Sequence, residues 1–233
     1  GKHKFNTAMA SVGLSIFIVG IFKKLVLADN FAPIANRVFD SFSQGVSTDL
    51  ITAWLGVLGY SLQLYFDFSA YSDMAIGLGL IFGIKLPINF NSPYKATSII
   101  DFWRRWHISL GSWLRDYLYI PLGGNRSGGI GTYISTIVIL IFLIFITQWY
   151  WLLFIYLGLL VLYISCSLIF PNFKKYVHRD LNLLITMVIG GLWHGASENF
   201  VMWGAMNGAA LIIYNHWRKL SPYENSHSFF VRF

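Results

Sequence analysis

DFWRRWHISLGSWLRDYLYIPLGGNR, residues Asp101–Arg126, is the stretch on which the fold turns. It is basic, rich in tryptophan, and lies between two long apolar regions. Phe102, Trp103, Trp106, Leu110, Trp113, Leu114 and Tyr117 recur at three- and four-residue steps, which predicts one amphipathic helix. Ser98, with Asp101 three residues on, resembles a helix start, and Pro121 with Gly123 and Gly124 marks the end. Asp101 is spaced to pair with Arg104 or Arg105. A basic face opposite a tryptophan face suits a helix lying in the cytoplasmic membrane interface. A second short stretch, GGLWHGAS at Gly190–Ser197, answers it from inside the next apolar region. Each carries one histidine, His107 and His194, and the expectation is that the rest of the chain holds both in the membrane, facing one reaction site.

Composition supports a membrane protein. Hydrophobic residues make up 56% of the 233 and charged residues only 12%, against about 25% charged in an average soluble domain. Aromatics at 18% fit interfacial belts. A net charge of +7 would suggest nucleic acid in a soluble protein; here loop lysines and arginines retained on the cytoplasmic side explain it, and no nucleic-acid partner is expected. The single Cys166 allows no intrachain disulfide and no multi-cysteine metal site. The chain opens on Gly1 without a signal-peptide pattern, and Phe229–Phe233 looks like the start of another apolar run. Residues 1–233 therefore read as a single membrane-embedded domain cut from a longer chain.

In chain order, Phe5–Phe22 is long enough for one span and closes on Lys23 and Lys24, read as topological anchors. Asp29–Asp49, broken by Pro33 and Gly45, reads as a loop with one short amphipathic helix. Leu50–Ile84 is too long for one untilted span and carries Asp67, Ser69, Ser72 and Asp73; two helical pieces meeting near Phe66–Ser69 are predicted. A carboxylate at bilayer depth is costly, so Asp67 and Asp73 should face protein or water, bonded to helix ends or a nearby arginine. Leu86–Tyr94 (LPINFNSPY) is loop. Ser127–Phe173 holds no charged residue, and Ile130–Ile146 and Tyr150–Phe170 read as two spans turning at Thr147-Gln148. Leu181–Trp193 enters the membrane again and Asn199–Trp217 leaves it, which puts His194 near the top of a hairpin or re-entrant turn. Gly190, Gly191 and Gly195 permit close backbone approach or a helix break there. The fold class is all-α: polytopic transmembrane helices with interfacial amphipathic and re-entrant elements.

An ionisable side chain inside a membrane is a functional candidate. A neutral imidazole at 194 accepts a proton, which suits a general base for an alcohol attacking an acyl donor. A lone histidine among glycines is more often structural, and on spacing alone both readings stand. His107 reads on the same grounds as packing or snorkelling at the interface. The chain has no HExxH, no CxxC and no Walker Gly-Lys-Ser/Thr motif, so metal sites and nucleotide hydrolysis have no support. GGNR at Gly123–Arg126 is too short for a phosphate loop. His3, His178, His216 and His227 sit in polar flanks and are expected to be solvated.

Tyr65–Ala75 (YFDFSAYSDMA), Leu86–Tyr94, Phe102–Arg126, Gly191–Ala196 (GLWHGA) and Ile21–Pro33 (IFKKLVLADNFAP) closely resemble the membrane-bound O-acyltransferase family, in its bacterial alginate O-acetyltransferase branch. The resemblance implies a multi-pass enzyme of the bacterial inner membrane with a tunnel through the bilayer. It implies transfer of an acyl group, acetyl in this branch, from a cytoplasmic acyl-CoA or acyl-carrier thioester, with no bound cofactor. It implies, as acceptor, a hydroxyl of an extracellular polysaccharide, reached directly or through a periplasmic partner acyltransferase. By the resemblance, the catalytic base is expected at His194 and a second required histidine at His107. Trp103, Arg104, Arg105, Asn125, Arg126, Trp193 and Asp73 are the expected substrate-binding positions, the basic ones suiting an acidic donor. The chain departs from the family pattern in three respects: an apparently inserted Ile130–Phe170 hairpin, Glu198 after the WHGA block, and missing spans before Gly1 and after Phe233. D-alanyl transfer to teichoic acid is the sister reading; a transporter or channel using Asp67, Asp73 and His194 is the alternative from another class.

Overall fold

The computed structural model describes residues 6–126 and 128–221, and among them every regular element is helical. The chain divides into two compact units, Gly1–Pro93 with Arg105–Ser109, and Tyr94–Arg104 with Leu110–Phe233. Among the described residues, three helical stretches are long and apolar enough to cross a membrane: Thr7–Ser43, Ile130–Thr147 and Trp151–Ile169.

In the first unit, α1 (Thr7–Phe22) starts on Asn6, whose Oδ1 accepts from the Ala8 and Met9 N–H groups at 3.0 and 3.2 Å. It does not stop at the two lysines. A π-helical segment, Lys23–Ala28, carries the chain into α2 (Asp29–Ser43). The expected loop thus shrinks to residues 44–49. Pro33 removes one N–H from the ladder, yet α2 passes through it because its amphipathic face packs on the next helix, with Ala35 fully buried. The next helix, α3 (Leu50–Ile81), is capped by Asp49, which accepts from the Ile51 and Thr52 N–H groups at 3.0 Å each.

The predicted break near Phe66–Ser69 is absent: α3 is continuous over 32 residues. Its polar residues are satisfied without unwinding. Asp73 pairs with Lys23 at 2.5 Å, and Asp67 with Lys24 at 2.6 Å. Lys24 also meets Asp29 at 2.9 Å. Lys23 and Lys24 are therefore partners of the α3 carboxylates rather than simple topological anchors, and a lysine stands where an arginine was the expected partner. Helices α1 and α3 cross at Gly13 and Gly77. A Cβ on either would sit 2.6 or 2.5 Å from the other's carbonyl oxygen, so only two glycines allow this approach.

The amphipathic helix predicted from Asp101 to Tyr117 is two short ones, α4 (Ile99–Arg105) and α5 (Ile108–Leu114), followed by a π-helical turn, Arg115–Tyr119. Ser98 starts α4 as expected, its Oγ accepting from the Asp101 N–H at 3.1 Å. The interruption falls on Trp106 and His107.

In the second unit, α6 (Ile130–Thr147) and α7 (Trp151–Ile169) match the two predicted spans, and Gln148 turns the chain with a left-handed φ of 57°. Helix α8 (Phe173–His194) begins well before the expected Leu181, and α9 (Glu198–Leu220) pairs with it as the hairpin that the glycines suggested. A Cβ on Gly191 would strike the Phe200 carbonyl and one on Gly204 the Met187 carbonyl, so the two backbones are in direct contact.

Candidate functional site

His107 owes its place to a strap. Two backbone hydrogen bonds from Leu86–Tyr94 bracket the helix interruption: Asn91 N–H donates to the Arg105 carbonyl, and Ile108 N–H to the Asn89 carbonyl, each at 3.0 Å. The Asn89 side chain adds two more, its Oδ1 accepting from Ser109 N–H at 3.0 Å and from Ser109 Oγ at 2.6 Å. Between these anchors His107 takes a left-handed φ of 45°. That conformation costs a non-glycine residue about 1–2 kcal/mol, and strain of this kind persists only where the surroundings impose it. The imidazole lies edge-on to Phe68, ring centres 4.7 Å apart, and Phe90 packs on both Phe68 and Trp106 at 5.0 and 5.1 Å. His107 is thus held in a defined geometry, not left snorkelling at a helix surface.

His194 is the last residue of α8, where the helix gives way to the turn leading into α9. Three aromatic rings wall it: Trp193 at 4.9 Å, Trp203 at 5.2 Å and Phe200 at 6.0 Å between ring centres. Trp103 of α4 packs edge-on against Trp203 at 5.6 Å, and its buried indole Nε1 has no hydrogen-bond partner among the described residues. The second unit therefore brings His194, Trp193 and Trp103 into one aromatic cluster, with Trp203 and Phe200 added by α9. The imidazole is exposed, and neither ring nitrogen is hydrogen-bonded among the described residues.

The other expected binding residues stand in different local settings. Asp73 is half-buried in its ion pair with Lys23. Arg104 and Arg126 are exposed. Arg105 donates from Nη1 to the Asn91 carbonyl at 3.4 Å, as part of the strap. Asn125 accepts from the Tyr119 hydroxyl at 2.7 Å. Burial holds the Tyr119 phenol above its ordinary range, which keeps it a donor.

Of the four histidines expected to be solvated, His216 is exposed as expected and His178 is not. The ring of His178 is fully buried: its Nδ1 accepts the Gly128 N–H at 2.7 Å, and the Tyr133 and Tyr163 hydroxyls lie 2.9 Å from its Nε2. His216 sits with Nε2 2.7 Å from Asp180 Oδ2 on the facing helix. His3 and His227 lie outside the described residues. Asn182, one turn on from His178 and also fully buried, donates to the Gly124 carbonyl at 3.2 Å, with Thr132 Oγ1 2.7 Å from its Oδ1. The signal was present as a polar stripe at four-residue spacing, His178, Asn182 and Thr186, on an otherwise apolar helix face. Asn89 gave no such signal, because a single asparagine in a proline-bounded loop reads as turn.

Comparison with known proteins covers most of the chain. Residues 2–179 match the model of the membrane-bound O-acyltransferase family. A Helicobacter pylori peptidoglycan O-acetyltransferase is 44% identical over 209 residues, 90% of this chain and 30% of that protein. The probable alginate O-acetylase AlgI of Azotobacter vinelandii is 44% identical over 201 residues, 86% of this chain and 30% of the relative. A Bacillus subtilis teichoic acid D-alanyltransferase is 27% identical over 165 residues, 71% of this chain and 32% of the relative. The chain thus spans about a third of the length of these relatives.

Proposed function

The chain belongs to the membrane-bound O-acyltransferase family, and we propose that it carries the catalytic histidines of a multi-pass inner-membrane enzyme that acylates hydroxyl groups of an extracytoplasmic polysaccharide. The observation that carries this reading is the His194 imidazole, free of hydrogen bonds among the described residues and walled by Trp193, Phe200 and Trp203 at the end of α8. A ring held by packing alone keeps a nitrogen lone pair for an incoming hydroxyl.

In this reading His194 takes the proton of the acceptor hydroxyl as its oxygen attacks the carbonyl carbon of a cytoplasmic thioester. The new ester C–O bond forms, the C–S bond breaks, and the proton passes to the departing thiolate. His107, fixed by the strap, binds a substrate or polarises the thioester carbonyl. The indole N–H of Trp103, unpartnered among the described residues, is a donor at the wall of the His194 cluster. Exposed Arg104 and Arg126 suit an acidic donor such as acyl-CoA or an acylated carrier protein. Relatives named for O-acetylation stand at 44% identity and a D-alanyltransferase at 27%, which supports acetyl as the group moved. The polymer is acylated directly or through a periplasmic partner acyltransferase.

The test is mass analysis of cell-surface polymers from cells carrying the full-length parent or its His194→Ala variant, fed labelled acetate and, separately, labelled D-alanine. Acetyl label on a polysaccharide with the parent, lost with the variant at equal membrane levels, is the expected outcome. D-alanyl label instead would move the reading to teichoic acid. A His194→Ala variant with undiminished transfer would refute the assignment of the base.

A further inference from the structure

Asn89 belongs to LPINFNSPY, a loop to which the mechanism above gives no chemistry. We infer that Asn89 is a positioning residue for His107, capping α5 from across the chain so that residue 107 holds its left-handed conformation. The inference rests on the role given to His107 above.

A helix normally receives its first cap from the residue just before it, whose side-chain oxygen accepts the N–H of the second or third helical residue. In α5 that preceding position is His107, and the N–H a cap would take is that of Ser109. Asn89 Oδ1 accepts that N–H at 3.0 Å and the Ser109 hydroxyl at 2.6 Å, from 20 residues away. The Asn89 carbonyl meanwhile accepts the Ile108 N–H at 3.0 Å. One asparagine thus satisfies the first two N–H groups of α5. Serine, threonine, aspartate or asparagine at 107 would be the ordinary local solution. Placing the acceptor in the strap instead leaves a histidine at the interruption. Its φ of 45° is then set by the hydrogen bonds on either side of it, Asn91 to Arg105 before and Asn89 to Ile108 after.

The experiment measures acyl transfer by membranes holding the full-length protein, with Asn89→Leu and Asn89→Asp each made in the parent and in a His107→Ala background. Displacing a catalytic group by about 1 Å costs up to about 100-fold, and a loss of that order is expected for Asn89→Leu. Asn89→Asp, which keeps the accepting oxygen, should stay within about three-fold of the parent. Once His107 is gone, Asn89→Leu should cost nothing further, since residues acting through one another are not additive. If Asn89→Leu does not reach the membrane in folded form by gel filtration in detergent, Ser109→Ala takes its place. That variant removes only one partner of Oδ1, and a loss of about 3–10-fold, again absent in the His107→Ala background, is expected. Equal losses for leucine and aspartate, or losses that multiply with His107→Ala, would overturn the inference. So would unchanged activity in Asn89→Leu when His107→Ala is inactive, and that pattern leaves the role of His107 standing. An active His107→Ala variant removes that role and this inference together.

Discussion

Helix α8 carries two histidines in opposite circumstances. His178, near its start, is buried with Nδ1 bonded to the Gly128 amide and Nε2 beside two tyrosine hydroxyls. His194, at its end, is exposed, touches aromatic rings and is hydrogen-bonded at neither nitrogen among the described residues. The first has spent its hydrogen-bonding capacity on holding α6, α7 and the turn before them against α8. The second has kept it. Burial, taken alone, does not tell which of the two can still accept a proton; the distinction is whether a lone pair is already occupied. Asp73, likewise, is already paired with Lys23.

The contrast can be broken by substitution. The largest effect belongs to His194→Gln, which keeps a polar side chain but no base: turnover in the labelled-acetyl assay should fall by about 10²–10⁴-fold, with the thermal midpoint of the full-length protein in detergent unchanged. Gly204→Leu should come next. Its side chain would meet the Met187 carbonyl, and a backbone that cannot yield should cost about 3 kcal/mol or prevent the hairpin from closing, read as loss of the monodisperse gel-filtration peak. His178→Leu leaves the Gly128 amide without its acceptor, a loss of about 1–3 kcal/mol. It should appear as a lowered thermal midpoint, with the activity of each folded molecule retained. If that variant instead abolishes turnover at full stability, His178 is more than a bolt and the contrast fails. The smallest effect is expected for Arg115→Gln. Arg115 and Asp116 pair at 2.8 Å but are exposed neighbours, and no measurable change in midpoint should follow.

Parts of this arrangement were legible in the letters. The α6–α7 pair is bounded by turn residues and holds no charge, so its ends could be placed within a few residues. Ser98 was recognisable as a cap and the glycines around His194 as a close contact. The helical interruption at His107 was not. Trp106 and Leu110 keep the apolar spacing through it, and periodicity records side-chain faces, not backbone bonds. The opposite error arose in α3, where Asp67 and Asp73 suggested a break. Their partners, Lys24 and Lys23, sit on a different helical segment, 43 and 50 residues away.

By itself, then, the sequence determined that this is an all-helical membrane protein of a recognisable family, with two histidines in distinctive aromatic and glycine-rich settings. Hydropathy, helical period and turn residues are local properties and survive in one dimension. Only the tertiary structure decided which histidine is bonded and which is not, and which asparagine caps which helix. A hydrogen bond depends on where a partner lies in space, and Gly128 with His178, or Asn89 with Ser109, are brought together by the packing of helices and not by their spacing along the chain.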